Sequence, residues 1–140
     1  MDHLFVYGTL LFPEILHELT GKLFKTKKVR VAGFKRYKVK EEDYPAVIWD
    51  RNSFVDGVLV FNVDKRSIDI LSFYEGPEYE IKEIDITTEN DTIKAYIFVW
   101  KEGLHTLENN DWDEDFFKKH ALPIYKEKII PGVLKEFKMQ

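Results

Sequence analysis

Between Phe24 and Trp100 apolar residues recur at every second position over much of the chain, a period that suits an extended backbone with one buried face. Phe24 to Val39 sets Val29 and Val31, then Phe34, Tyr37 and Val39, among basic residues, and Gly33 reads as a bulge or bend. Ala46 to Trp49 and Phe54 to Phe61 are two more β-rich runs, and Asp50-Arg51-Asn52-Ser53 between them reads as the turn of a hairpin. Tyr79 to Ile86 and Ile93 to Trp100 form a further pair about the turn Glu89-Asn90-Asp91. His3 to Tyr7 supplies a first strand ahead of them all.

Helices punctuate these runs. Pro13 to Leu19 has proline in its first turn and Gly21 just past its end. Asp64 caps a second helix that passes through Ile68, Leu71 and Phe73 and ends at Gly76-Pro77. Asp113 to His120 and Pro123 to Phe137 read as helices interrupted at Pro123 and at Pro131-Gly132, with the last residues fraying. No repeat or linker divides the chain, so residues 1–140 are expected to form a single α+β domain: a small mixed, strongly curved β-barrel with flanking helices.

Hydrophobic residues at 44% and aromatic ones at 15% supply a core without disulfides or metal. With 21 basic and 25 acidic residues the net charge of −4 gives no footprint for nucleic acid or an anionic membrane. The lysines from Lys22 to Lys28 read as a solvated strand edge. The absence of cysteine excludes a thiolate nucleophile and any zinc site using sulfur, and His3, His17, His105 and His120 have no metal-like spacing. Ser53, Ser67 and Ser72 lie in no nucleophile elbow, and there is no glycine-rich phosphate loop. No apolar run is long enough to span a bilayer, so a cytoplasmic protein is expected.

Two features remain that carry chemistry. Tyr7-Gly8-Thr9-Leu10 ends an apolar strand at a residue without a Cβ, a turn that either caps the strand or presents consecutive N–H groups to an anion. Glu75 lies between Tyr74 and Gly76-Pro77 at a helix C-terminus, where the macrodipole repels negative charge. It is either a surface residue in a turn or a carboxyl turned inward among Tyr74, Tyr79 and Phe5, with its pKa raised toward neutrality. By elimination, any chemistry here uses one carboxylate and backbone donors, with no metal or nucleotide.

Tyr7-Gly8-Thr9-Leu10, Asp43-Tyr44-Pro45-Ala46-Val47, Val55-Asp56-Gly57-Val58-Leu59 and Leu71-Ser72-Phe73-Tyr74-Glu75-Gly76-Pro77-Glu78-Tyr79 follow one another as in a known family. In these blocks the sequence resembles the γ-glutamylcyclotransferase-like proteins, and within them the γ-glutamylamine cyclotransferase and avirulence-induced-gene-like branch. The resemblance implies a mixed barrel with a pocket at one end and a small-molecule γ-glutamyl substrate. It implies that Tyr7, Gly8, Thr9 and Leu10 hold that substrate by backbone N–H groups, with Tyr44 and Tyr79 also contacting it. It makes Glu75 the proton acceptor of a cofactor-independent cyclisation that releases 5-oxoproline. A non-catalytic binding module with the same pocket is the alternative, because a fold does not guarantee turnover.

The sequence departs from the family pattern at Ser72, where many members are acidic, and at Ile81, where many have arginine. Asn110-Asp111-Trp112 resembles a late Gly-Asp-Trp segment but lacks its glycine. The helices beyond Asp113 are not covered; Phe116, Phe117, Ile124 and Tyr125 would pack in the core, close the pocket or form a dimer face. A monomer or homodimer is expected.

Overall fold

The computed structural model describes residues 2–140. Strand β1 (Asp2–Val6) leads through a single 3-10 turn at Thr9–Leu11 into helix α1 (Pro13–Thr20). Two long strands follow, β2 (Thr26–Lys38) and β3 (Pro45–Val63), then helix α2 (Lys65–Glu75) and the strands β4 (Tyr79–Thr87) and β5 (Thr92–Trp100). Helix α3 (Glu114–His120), the short α4 (Leu122–Ile124), a π-turn at Tyr125–Ile129 and helix α5 (Ile130–Lys138) complete the chain. Among the described residues no helix is long and apolar enough to cross a membrane.

The strands form one mixed sheet in the order β2-β3-β1-β5-β4. Its neighbours are antiparallel except β1 and β5, which run parallel with Leu4 beside Tyr96. The α+β architecture with flanking helices is the expected one, and the ladder is open, with β2 and β4 as its edges. Alternation of side chains separates two cores. Phe5 from β1, Val31 from β2, Leu59 from β3, Ile86 from β4 and Ile97 from β5 meet in one cluster, so the sheet curls around its own inner face. Leu4, Val6, Val60 and Phe98 point the other way and pack with Ile15, Leu19, Ile70, Leu71, Phe117 and Ile130 of the helices.

The close approach of β1 and β3 depends on a missing side chain. A Cβ at Gly57 would strike the carbonyl of Val6 and come within 2.7 Å of Phe5 Cζ, and Phe5 is fully buried. Gly57→Ala is therefore expected to destabilise the protein by about 3 kcal/mol, seen as a lower urea midpoint at unchanged slope.

Two local expectations are corrected. The hairpin anticipated at Asp50–Ser53 does not form: residues 45–63 are one strand paired with β2 at both ends. Phe54 stands opposite Ala32 and Trp49 opposite Phe34, so residues 50–53 bulge out against Gly33 alone, the bend foreseen there. The Asp50 carboxylate accepts from the Asn52 N–H and the Ser53 hydroxyl, both at 3.0 Å, which closes the bulge on itself. The second correction concerns Pro131, which does not break the last helix. The Ile130 N–H reaches five residues back to the Tyr125 carbonyl, and this widened turn relieves the crowding that a proline ring creates inside an ordinary helix.

Candidate active site

The chain leaves β1 at Tyr7 and turns at Gly8 into the 3-10 turn. The carbonyls of this turn are used locally: Gly8 O accepts from the Leu11 N–H at 2.9 Å and Thr9 O from the Phe12 N–H at 3.3 Å. The N–H groups of Gly8, Thr9 and Leu10 donate to no acceptor among the described residues, although all three residues are buried. Buried backbone donors without partners are rare in folded proteins, and three in succession make a receptacle for an anion.

Helix α2 brings Glu75 to the same place. Asp64 starts the helix, its carboxylate accepting from the Ser67 hydroxyl at 2.6 Å and the Ser67 N–H at 3.3 Å. Gly76, at a φ of +92°, ends it directly after Glu75. The carboxyl makes no hydrogen bond or ion pair among the described residues, and burial alone pushes its pKa from 4.5 to about 8. It shares a cleft with Phe5, Tyr7, Gly8, Thr9, Leu10, Tyr44, Pro45, Tyr79 and Phe98, enclosing about 20 Å³ of free space, room for about one water molecule. A wider groove of about 460 Å³ beside the residue 50–53 bulge is lined by Lys35, Arg36, Asn110 and Asp111, with no buried carboxyl.

Tyr7, Tyr44 and Tyr79 wall the cleft, and Tyr74 supports it through Thr9. The Tyr7 hydroxyl donates to Phe98 O at 2.6 Å and that of Tyr79 to Pro45 O at 2.7 Å, while the Tyr74 hydroxyl lies 2.7 Å from Thr9 Oγ1. Burial first and the Glu75 charge second hold all three well above the ordinary tyrosine pKa, so they stay protonated. Their hydroxyls are engaged with the protein, and they shape and support the cleft. Tyr44 is half-buried at the mouth, its pKa pushed up to about 12 by burial and by Glu42 and Glu78.

The structure therefore gathers every residue singled out for a site, Tyr7, Gly8, Thr9, Leu10, Tyr44, Glu75 and Tyr79, around one cavity. It also places residues outside that set beside the cleft. Tyr125, on the π-turn, has its pKa raised by burial first and then by Asp43, Tyr44, Glu42 and Glu75, so the C-terminal helices reach the neighbourhood of the mouth. Arg36 Nη1 donates to the Tyr7 carbonyl at 2.7 Å, and its Nε and Nη2 reach the Asp111 carboxylate at 2.8 and 3.1 Å. Trp112 Nε1 donates to the Asp43 carbonyl at 2.7 Å. Neither Ser72 nor Ile81 lines the cleft. Phe117 is core, whereas Phe116 and Ile124 are exposed.

The model of the family described as gamma-glutamyl cyclotransferase, AIG2-like, matches residues 4–114, and the chain belongs to this family. Its relatives include AIG2-like protein C of Arabidopsis thaliana, 25% identical over 119 residues that cover 84% of this chain and 69% of that protein. AIG2-like protein B of the same plant is 23% identical over 129 residues, covering 91% and 75%. An Arabidopsis thaliana protein solved in solution superposes with a TM-score of 0.68 at 21% identity, covering 99% of this chain and 91% of that one. A gamma-glutamyl cyclotransferase superposes with a TM-score of 0.59 at 15% identity, covering 96% and 98%. At these identities the superpositions show a common fold.

Proposed function

We propose that this protein is a cofactor-independent cyclotransferase that releases 5-oxoproline from a γ-glutamyl amine or γ-glutamyl amino acid. The observation that carries the reading is the unpartnered Glu75 carboxyl facing three unpartnered N–H groups across one cleft. Membership of the cyclotransferase family supports it. A module that only binds has no need of a half-buried carboxyl with no hydrogen-bond partner, held largely protonated by its surroundings.

In this mechanism the substrate carries both reacting groups. Glu75 accepts a proton from the α-ammonium, and the freed amine attacks the γ-carbonyl carbon to close a five-membered ring. The carbonyl oxygen gains negative charge; as the scissile C–N bond breaks, Glu75 returns its proton to the departing nitrogen, and the second proton of the attacking nitrogen follows through the same carboxylate, so the ring keeps one N–H and the amine leaves as an ammonium. The N–H groups of Gly8, Thr9 and Leu10 hold the anionic end of the substrate or steady that developing charge. Fixing one folded rotamer for an intramolecular attack supplies several kcal/mol, and the proton shuttle roughly 10²–10⁴-fold in rate.

Incubation with a panel of γ-glutamyl amines and γ-glutamyl amino acids is expected to yield 5-oxoproline and the free amine in equal amounts. Because burial holds the Glu75 pKa at about 8 in the free protein, kcat/KM should climb with pH until about 8 and then level. The midpoint in kcat should fall lower, since the substrate ammonium beside Glu75 favours the ionised carboxylate. Absence of 5-oxoproline with every compound, while one of them still binds, would establish the binding module instead.

A further inference from the structure

We propose that Arg36 is a positioning residue that aims the Gly8 N–H into the cleft, and that Asp111 and Trp112 tie it to the facing lip as one strap. Its consequence for substrate rests on the functional reading above; its consequence for the peptide plane does not.

A trans peptide is planar, with its C=O and N–H pointing in opposite directions. Arg36 Nη1 grips the Tyr7 carbonyl at 2.7 Å, so the N–H of the same peptide, that of Gly8, is turned the other way. The guanidinium is itself held. Its Nε and Nη2 make a two-pronged ion pair with Asp111 at 2.8 and 3.1 Å, a rigid fork that leaves Nη1 one direction. The Arg36 side chain is only 18% exposed and its guanidinium lies 5.4 Å from the Trp112 ring centroid, while Asp111 is open to solvent.

The strap then crosses the mouth. Asp111 Oδ1 accepts from the Trp112 N–H at 2.7 Å, and Trp112 Nε1 donates to the Asp43 carbonyl at 2.7 Å. Asp43 precedes Tyr44 and Pro45, which form the wall opposite Gly8. One segment thus fixes both lips: Tyr7-Gly8 through Arg36, and Asp43-Tyr44 through Trp112. None of the three strap residues lines the cleft, so they act through the backbone they hold.

The test is Arg36→Met, which keeps the aliphatic stem and removes the donors, beside Arg36→Lys and Asp111→Asn. In the folded Met variant, KM for the best γ-glutamyl substrate and Kd for 5-oxoproline are expected to rise about tenfold, with kcat within about threefold of wild type. Lys should recover part of that loss through a single bond to the Tyr7 carbonyl, and Asp111→Asn should raise KM less than Met does. Partial unfolding alone would lower apparent kcat and leave KM in place. Unchanged KM and Kd in folded Arg36→Met, or in Asp111→Asn where the Met variant does not fold, would overturn the proposal. If wild type neither binds 5-oxoproline nor turns over any γ-glutamyl compound, the functional reading fails. The strap is then judged from the Gly8 amide cross-peak in a ¹H–¹⁵N spectrum: a displaced peak in the variants supports it and an unmoved one overturns it.

Discussion

Replacing Glu75 by glutamine is expected to lower turnover by about 10²–10⁴-fold and, above pH 8, to make the protein more stable. The folded carboxyl has its pKa raised from 4.5 to about 8 by burial. Between those values the folded chain keeps a proton that the unfolded chain has lost, so stability falls as pH rises through that window. Below it both states are protonated and the contribution is fully present; above it the contribution is lost. The difference is of order 3 to 4 kcal/mol once water reaching the half-buried carboxylate is allowed for. Glutamine cannot ionise, so the variant should lack this dependence. Urea unfolding at pH 5 and pH 9 reads the effect directly: wild type should weaken between the two and Glu75→Gln should not, apart from the trend set by other groups. Turnover should fall about 10²–10⁴-fold because glutamine cannot accept the ammonium proton. Equal 5-oxoproline from both proteins would remove Glu75 from the mechanism, and parallel pH curves would show that its burial is not what costs stability. Both effects together would mean that the site keeps a carboxyl whose ionised form weakens the fold, and that a substrate ammonium is what makes this form favourable.

The two halves of the cleft were legible because their signals are local. Tyr7-Gly8-Thr9-Leu10 announces a turn by its glycine, and Glu75 stands out as a negative charge at a helix C-terminus between aromatic residues. What no local signal carried is how the halves are held. Arg36 and Asp111 lie 75 residues apart and look like ordinary surface charges on their own segments. Only the long β2, which meets the Asn110-Asp111-Trp112 segment at its end through the Lys38 N–H and the Asn110 carbonyl, brings them together. For Tyr125 the sequence left core, pocket and dimer face open, because it sits on a π-turn, where helical spacing no longer tells which way a side chain faces. The misread hairpin has the same origin. Asp50-Arg51-Asn52-Ser53 has turn composition, but β2 is long enough to pair with the runs on both sides, and ladder pairing outweighed the local turn.

Gly8→Ala should also damage turnover severely, with the carboxyl left intact. A Cβ at residue 8 would lie 2.7 and 2.9 Å from Cγ and Cδ of Pro45. Pro45 has little freedom to retreat: it is buried, and its carbonyl is held by the Tyr79 hydroxyl at 2.7 Å. The strain must therefore move the 7–10 turn, carrying the N–H groups of Gly8, Thr9 and Leu10 away from their substrate. A displacement of several tenths of an ångström at positioning groups is expected to lower kcat/KM about 100-fold, with a modest drop in melting temperature. Gly132→Ala is the matched control. It adds the same methyl in α5 where nothing lies within 4 Å, so turnover should be unchanged and the helix slightly firmer. If folded Gly8→Ala keeps kcat/KM within threefold of wild type, the turn after β1 is a strand cap and not a substrate cradle. If kcat/KM collapses while the Glu75-dependent stability profile persists, positioning and proton transfer are separable properties of the two lips.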